Sequence, residues 1–479
     1  NVAARPSAVA AFPRGGGTGL TPLEYRQSVL EGRKESMNDD LFQETPKSKR
    51  TKPAPKARTK AKKATETPAP TDRQRVELLN YKRLLPGTKM LCCVLAVHPL
   101  AIVVSMCDQL LGHVPVTSVS RQLTERLQAA LDDESDKEDL DDADEEAPPE
   151  LHEIFSVGQW VRASVESVGA PGTQRQAGLG REGGEYERES QRVQLTLEPH
   201  VVNEGISASD LSEGYVLSAT VTSREDHGYA LELGVDDDLH GFLPFQYTPA
   251  PLRVGQVVLV LVRAVDGRVL RVSLAEPGAP NVPSVPPSQS AMLPGVPVKA
   301  LITTRVPQGL NVKLFGMLDG TIDNFHVPPH LDEAALAPGK KILARVLWNM
   351  PGDLDQLQES AADTVGARRL GLSAAAHVCE LRTPLVGDQA LTDAYPIGER
   401  VQVRVTTVLS GWGLMCEVIG ADVAAFVHIS HVADEHIDAL APTQGKYRVG
   451  SEHAARVTGH AMTDRLLLLS LQPSVLEKQ

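Results

Sequence analysis

One pattern of short alternating segments and glycine turns recurs four times between about residues 85 and 475, and it limits the fold more than any other feature. The clearest copy opens at Gly214 with an apolar run over residues 215–221. A turn at Asp226, His227 and Gly228 leads into Tyr229, Ala230, Leu231, Glu232 and Leu233, which alternate with period two. Gly241, Phe242, Leu243 and Pro244 follow. After Gly255 come a Val-rich segment over residues 256–264, the turn Asp266-Gly267 and a closing segment through Leu270, Val272 and Leu274. Five short segments separated by polar or glycine-bearing turns predict a small, closed five-stranded barrel.

The last copy repeats this order from Gly398: Val401, Val403 and Val405 alternate, Gly411-Trp412-Gly413 turns, and residues 425–430 stand in place of 241–244. Gly450 then precedes Ala455 and Val457, and residues 466–471 close the unit. The third copy starts at Gly295 and passes Gly309, Gly320 and Gly339, with its last hairpin enlarged over residues 351–366. The first starts at Gly87 and passes Gly112 and Gly158. It carries an acidic insertion at 132–146 and a Gly/Glu/Arg-rich one at 169–190. Loop-closure entropy grows slowly with length, so such insertions can hang outside a barrel.

The resulting expectation is a mainly β chain. Residues 1–80 form a disordered arm, with a possible helix over 73–84 at its end. Barrels occupy 81–200, 206–276, 291–376 and 394–475. Residues 277–290 form a proline-rich linker that keeps the second and third barrels apart, and 377–393 form a second linker.

The net charge of −13 argues against a general nucleic-acid sponge, but it conceals two opposed tracts. In the arm, Lys47, Lys49, Arg50, Lys52, Lys56, Arg58, Lys60, Lys62 and Lys63 recur with no acidic residue among them. Residues 132–146 are almost wholly acidic. Such an arm can neutralise phosphates without reading bases, or serve as a nuclear address. Five cysteines without paired spacing point to a reducing compartment. No apolar run approaches the length of a membrane span, and no membrane contact is expected. Asn1 in place of an initiating Met fits a chain that starts partway through a longer product.

Catalysis is not expected, nor is a metal or other cofactor. Asp236, Asp237 and Asp238 sit consecutively in a polar turn. His428 and His431 have no cysteine or carboxylate partners at ligand spacing, and Gly15 to Gly17 lack the Lys and Ser/Thr of a phosphate-binding loop.

The composite of opening glycine, a second glycine beside an aromatic residue, Gly-Phe-Leu-Pro or Phe-Val-His-Ile-Ser, and a terminal Leu-Ser or Ser-Leu resembles the ribosomal protein S1-type RNA-binding domain. That domain is a form of the oligonucleotide-binding (OB) barrel. The segment Phe12-Pro13-Arg14-Gly15-Gly16-Gly17, followed by Leu20-Thr21-Pro22-Leu23-Glu24, resembles the opening of the multi-S1 eukaryotic ribosome biogenesis family known as ribosomal RNA processing protein five. The resemblance covers the N-terminal part of that family. It implies a nucleolar, non-catalytic RNA-binding scaffold in precursor ribosomal RNA processing and subunit assembly. Its implied partners are single-stranded precursor ribosomal RNA, assembly factors and small-subunit processome proteins.

Ligands of such barrels cross the face of the second and third strands, where exposed rings stack on bases. The RNA-binding candidates in the second barrel are therefore His227, Tyr229 and Phe242. In the fourth they are Trp412, Phe426 and His428, with Arg400, Arg404, Lys446, Arg448 and Arg456 placed for phosphates. The third barrel lacks these rings, and the first has no aromatic residue on its second strand, so both are expected to be spacers or protein-docking modules. The alternative is a structural docking hub whose RNA contact is confined to the basic arm.

Overall fold

Glycines at the repeat landmarks fix the geometry of every copy. The glycine ahead of each first strand has φ between +81° and +94° (Gly87, Gly214, Gly295, Gly398), and the one ahead of each fourth strand has φ between +83° and +88° (Gly158, Gly255, Gly339, Gly450). This left-handed region is closed to most side chains. The first set donates to the carbonyls of Val165, Val262, Val346 and Val457 on the fourth strands. The second donates to Val94, Val221, Ile302 and Val405 on the first strands, all at 2.7–3.0 Å. Immediately beyond those residues the register shifts, and the first strand leaves its fourth-strand neighbour to continue alongside the second. One strand thus serves two neighbours and closes the barrel.

The computed structural model describes residues 76–136, 148–169, 192–236, 238–328, 331–332, 334–351, 369–386 and 389–477. Barrel 1 is built from β1 (Lys89–Val97), β2 (Ala101–Ser105), β3 (Leu111–Pro115), β4 (Trp160–Val168) and β5 (Val193–Thr196). Barrel 2 comprises β6 (Val216–Glu225), β7 (Gly228–Glu232), β8 (His240–Pro244), β9 (Val257–Asp266) and β10 (Val269–Leu274). Barrel 3 comprises β11 (Pro297–Val306), β12 (Gly309–Leu314), β13 (Leu318–Asp323), β14 (Lys341–Asn349) and β15 (Arg369–Ser373). A hairpin of β16 (Leu385–Val386) and β17 (Gln389–Ala390) precedes barrel 4, formed by β18 (Arg400–Leu409), β19 (Gly413–Val418), β20 (Ala424–His428), β21 (Glu452–Ala461) and β22 (Leu466–Ser470). In each barrel the first, second, third, fifth and fourth strands follow one another around the wall, with the third and fifth parallel.

The nine basic-arm residues from Lys47 to Lys63, Asp237, most of the acidic tract, the insertion at 170–191 and the enlarged hairpin at 352–368 lie outside the described residues. Over 76–84 the expected helix is replaced by irregular chain and a turn, with Val76, Leu79 and Leu84 buried, so the end of the arm is packed. The acidic tract is entered through helix α1 (Arg121–Asp136), whose first turn leans on barrel 2: Ser120 Oγ, just ahead of it, donates to the Gly255 carbonyl at 2.7 Å.

Both expected linkers are packed rather than extended. In the first, the Ser284 amide donates to Glu213 and Ser288 to the Asp210 carboxylate, while the buried Tyr215 hydroxyl donates to the Ala291 carbonyl at 2.6 Å. Ala291, Met292 and Leu293 join the interiors of barrels 2 and 3 into one apolar cluster, so this segment fuses the two modules instead of separating them. In the second, the short helix Ala376–Cys379 lies against barrel 3, and the Arg382 carbonyl accepts from Trp160 Nε1 of barrel 1 at 3.1 Å.

One buried arginine joins barrels, and a second holds the segments at the two ends of barrel 3. Arg162 on β4 is 0% exposed and donates to Pro294 O (2.7 Å), Asn203 Oδ1 (2.7 Å) and Val216 O (2.8 Å), tying barrel 1 to barrel 2 and to the entry of barrel 3. Arg345 on β14 donates to the carbonyls of Gly295 and Cys379. In addition β1 pairs with β14, Met90 opposite Trp348, so that barrels 1 and 3 share one ten-stranded sheet. Barrel 4 is held to barrel 1 by Thr463, which donates two hydrogen bonds to Ser105, from its amide to Oγ and from its hydroxyl to the carbonyl.

Candidate nucleic-acid interface

The phase of each strand decides which rings a ligand can reach. On β7, Tyr229 shares the inward parity of Leu231 and is 2% exposed. Its hydroxyl accepts from the Leu252 amide at 3.0 Å, and its ring meets Phe245 edge-on with centroids 5.2 Å apart. Tyr229 is therefore a core residue, and its assignment as a stacking ring is corrected. Phe242 on β8 has the opposite parity and is half-buried, opposite Ala230 on β7 and Arg271 on β10. Its ring lies over Gly228, where a Cβ would stand 2.9 Å from Phe242 Cζ, so that glycine gives the ring its place on the outer wall. His227 is exposed in the adjoining turn. Arg271 is exposed and pairs with Asp266 at 2.9 Å.

In barrel 4, Phe426 points outward from β20, as alternation requires, yet it is only 2% exposed. Phe325 of barrel 3 covers it in an edge-to-face contact at 5.6 Å. A protein ring thus occupies the place expected for a base, and Phe426 is not open to RNA in this arrangement. Trp412, in the β18–β19 turn, remains 48% exposed. His428 is exposed, with Nδ1 2.7 Å from Ser430 Oγ and its ring 6.4 Å from that of His431. Partial burial, and then His431, lower its pKa and favour the neutral imidazole.

Three of the arginines named for phosphates are engaged by the protein. Arg404 pairs with Glu452 at 2.9 Å, Arg400 donates to the Leu476 carbonyl, and Arg456 donates to Gly398 O at 2.8 Å and Val475 O at 3.1 Å. Lys446 and Arg448 are exposed beside this end of the barrel, the former 5.1 Å from the Tyr447 ring centroid.

A buried charged junction between barrels 1, 3 and 4 had no signature in the sequence. His326 Nδ1 lies 2.7 Å from Asp323 Oδ2 and its Nε2 3.4 Å from Asp464 Oδ1. Asp464 also accepts from the Gln109 amide, and Asp108 from the Leu79 amide at 2.6 Å. Burial alone would lower the His326 pKa, but Asp323, then Asp464 and Asp108, outweigh it and raise the imidazole to about 9. Burial pushes the Asp464 carboxyl up to about 7 against the pull of His326, and it raises Asp108 well above the usual range. The group is sealed, and among the described residues no cluster has the arrangement to hold a metal ion. The cysteines are buried too, and desolvation raises the thiol pKa of each, so none is a poised nucleophile.

The family model described as the RRP5 OB-fold domain matches residues 390–479, which contain barrel 4. Across 98% of its length the chain is 30% identical to "rRNA biogenesis protein rrp5" of Schizosaccharomyces pombe. The chain is thus similar to RRP5 proteins along nearly its whole length. It is 26% identical to "Protein RRP5 homolog" of Homo sapiens over 98% of the chain, and 25% identical to "rRNA biogenesis protein RRP5" of Arabidopsis thaliana over 100%. The chain spans about a quarter of the length of the curated relatives it matches: 26%, 23% and 23% respectively. The RRP5 family is the one that the opening motif and the repeated barrels resemble.

Proposed function

We propose that this chain is a non-catalytic RNA-binding platform that acts in precursor ribosomal RNA processing and subunit assembly, in the nucleolus and within the small-subunit processome. The reading is supported by the names of its RRP5-family relatives as ribosomal RNA biogenesis proteins. The observation that carries it is the pair of accessible rings, Phe242 on the outer wall of barrel 2 and Trp412 at the rim of barrel 4, on barrels where Tyr229 and Phe426 are sealed. Lys446 and Arg448, exposed on barrel 4, offer charge for phosphates. Because the barrels pack through the buried Arg162, a shared sheet and a charged junction, a strand touching both rings meets sites of fixed spacing, and little flexibility is lost when the second contact forms.

The test is titration of a labelled 30-nucleotide oligouridine with the full chain and with Phe242→Ala and Trp412→Ala. A stacked base contributes about 1–3 kcal/mol, so each variant should bind on the order of tenfold more weakly with its thermal midpoint retained. Unchanged affinity in both folded variants would refute the platform. One observation favours a second reading, a protein-docking hub that meets RNA only through the basic arm: Phe325 already fills the ring face of barrel 4. Deleting residues 47–63 abolishes RNA binding under that reading and leaves residual binding under the first.

A further inference from the structure

Barrel 3 lacks the aromatic pattern of barrels 2 and 4, yet its outer wall differs from those of barrels 1 and 2 in another way. The first six residues of β1 and of β6 are buried on both faces, because those strands lie inside the packed array. In β11 and the start of β14 the alternation is clean: Lys299, Leu301, Lys341 and Leu343 are exposed while Val298, Ala300, Ile302 and Ile342 are buried. The antiparallel register sets Lys299 opposite Leu343 and Leu301 opposite Lys341. Lys340, also exposed, precedes β14.

From this geometry we infer that the outer β11–β14 wall of barrel 3 is a second RNA-contact surface, which grips the sugar-phosphate backbone through Lys299, Lys340 and Lys341 while Leu301 and Leu343 pack against riboses and base faces. Cross-strand neighbours on one face stand about 5 Å apart, and alternate residues on a strand about 7 Å. The wall is therefore a checkerboard of cation and apolar side chain on the scale of one nucleotide. A ligand alternating phosphate with flat, weakly polar groups satisfies both kinds of square. A purely acidic peptide satisfies only the lysines.

The charge pattern supports the same occupant. In a chain of net charge −13, these three lysines have no ion-pair partner among the described residues. The corresponding cations of barrel 4 are engaged, Arg404 by Glu452 and Arg400 by a main-chain carbonyl. Lys313, opposite Leu301 on the β12 side, also faces Asp319 on β13 and is left out of the set. Backbone contact without base readout needs no aromatic residue, so a wall without rings can still hold RNA.

The inference rests on the platform reading, and the experiment separates the two. The full chain carrying Lys299→Gln, Lys340→Gln and Lys341→Gln together is titrated with the same oligouridine from 0.1 M to 1 M salt, alongside Leu301→Gln with Leu343→Gln. All five side chains are exposed, and unchanged thermal midpoints confirm the fold. Each single-strand phosphate contact contributes about 0.7 to the salt slope, so the lysine variant should lose about 2 from the slope. It should bind about a hundredfold more weakly at 0.1 M and converge on the unmodified protein near 1 M. The leucine variant should bind more weakly at every salt concentration, with the slope retained. If the lysine variant keeps the affinity and slope of the unmodified protein while Trp412→Ala and Phe242→Ala weaken binding, this surface is wrong and the platform stands. If none of these variants changes affinity, both fall. Loss of polyglutamate binding with RNA binding intact assigns the wall to an acidic protein and overturns the inference.

Discussion

Replacing Arg162 with Met removes a buried guanidinium from the point where barrels 1, 2 and 3 meet. Its three acceptors lie at 2.7–2.8 Å, and charge-assisted hydrogen bonds contribute about 1.5–3 kcal/mol each, so their loss costs about 4–9 kcal/mol. Against this stands the cost of burying the charge. Desolvation lowers the Arg162 pKa from its ordinary value to about 10, equivalent to about 3 kcal/mol that the Met variant recovers. The net expectation is a loss of about 4 kcal/mol, concentrated at the junction rather than within a barrel. Calorimetry should show a split transition. Limited proteolysis should gain cleavage near residues 204–215 and 290–296, the segments that Asn203, Val216 and Pro294 anchor. Arg162→Lys keeps the charge but cannot reach all three acceptors, so it should be at least as damaging. If Arg162→Met melts in one transition at the original midpoint, the guanidinium does not hold the barrels together.

Three further outcomes follow. The folded-state pKa of His326 is raised from 6.5 to about 9, so the proton it holds stabilises the fold fully below pH 6.5 and that contribution, about 3 kcal/mol, is lost as pH rises through 9. Asp464, raised from 3.8 to about 7, loses stability in the same direction between those values. The thermal midpoint should therefore fall from pH 6 to pH 9, and His326→Gln should flatten the upper part of the curve; a midpoint that climbs over this range contradicts the junction. Phe325→Ala should uncover Phe426 and tighten oligouridine binding several-fold, by up to the ~1–3 kcal/mol of one stacked base; weaker binding would show that Phe325 itself supports the RNA face. Tyr229→Phe should cost about 1 kcal/mol of stability through the lost Leu252 hydrogen bond, seen in urea melts, while leaving RNA affinity unchanged.

The barrels were legible in the sequence because period-two alternation and glycine spacing are local properties that each copy repeats. Tyr229 was misplaced although the signal was present: it shares parity with Leu231 and Leu233, and a consistent reading of phase turns all three inward. Phe426 was phased outward correctly, but its cover comes from Phe325, about a hundred residues away, and no local pattern reports such a contact. The inter-barrel packing left a partial trace. β1 reads Met-Leu-Cys-Cys-Val-Leu over residues 90–95, apolar on both faces, whereas β18 alternates Arg, Val, Gln, Val, Arg, Val. A strand greasy on both sides in a small barrel is one that another module covers. The charged junction left none, since Asp108, Asp323, His326 and Asp464 come from three barrels and each reads as a polar loop residue alone.

The union of β1 with β14 means that neighbours in space are not neighbours along the chain. A truncation ending near residue 290 would look reasonable on a map of the repeats, yet it would strip the Trp348 cover from Met90 and leave the rim of the first barrel as a bare hydrogen-bonding edge, prone to capture another molecule. Pieces cut at the repeat boundaries should therefore aggregate, and the smallest soluble unit is the one that keeps the first and third repeats together.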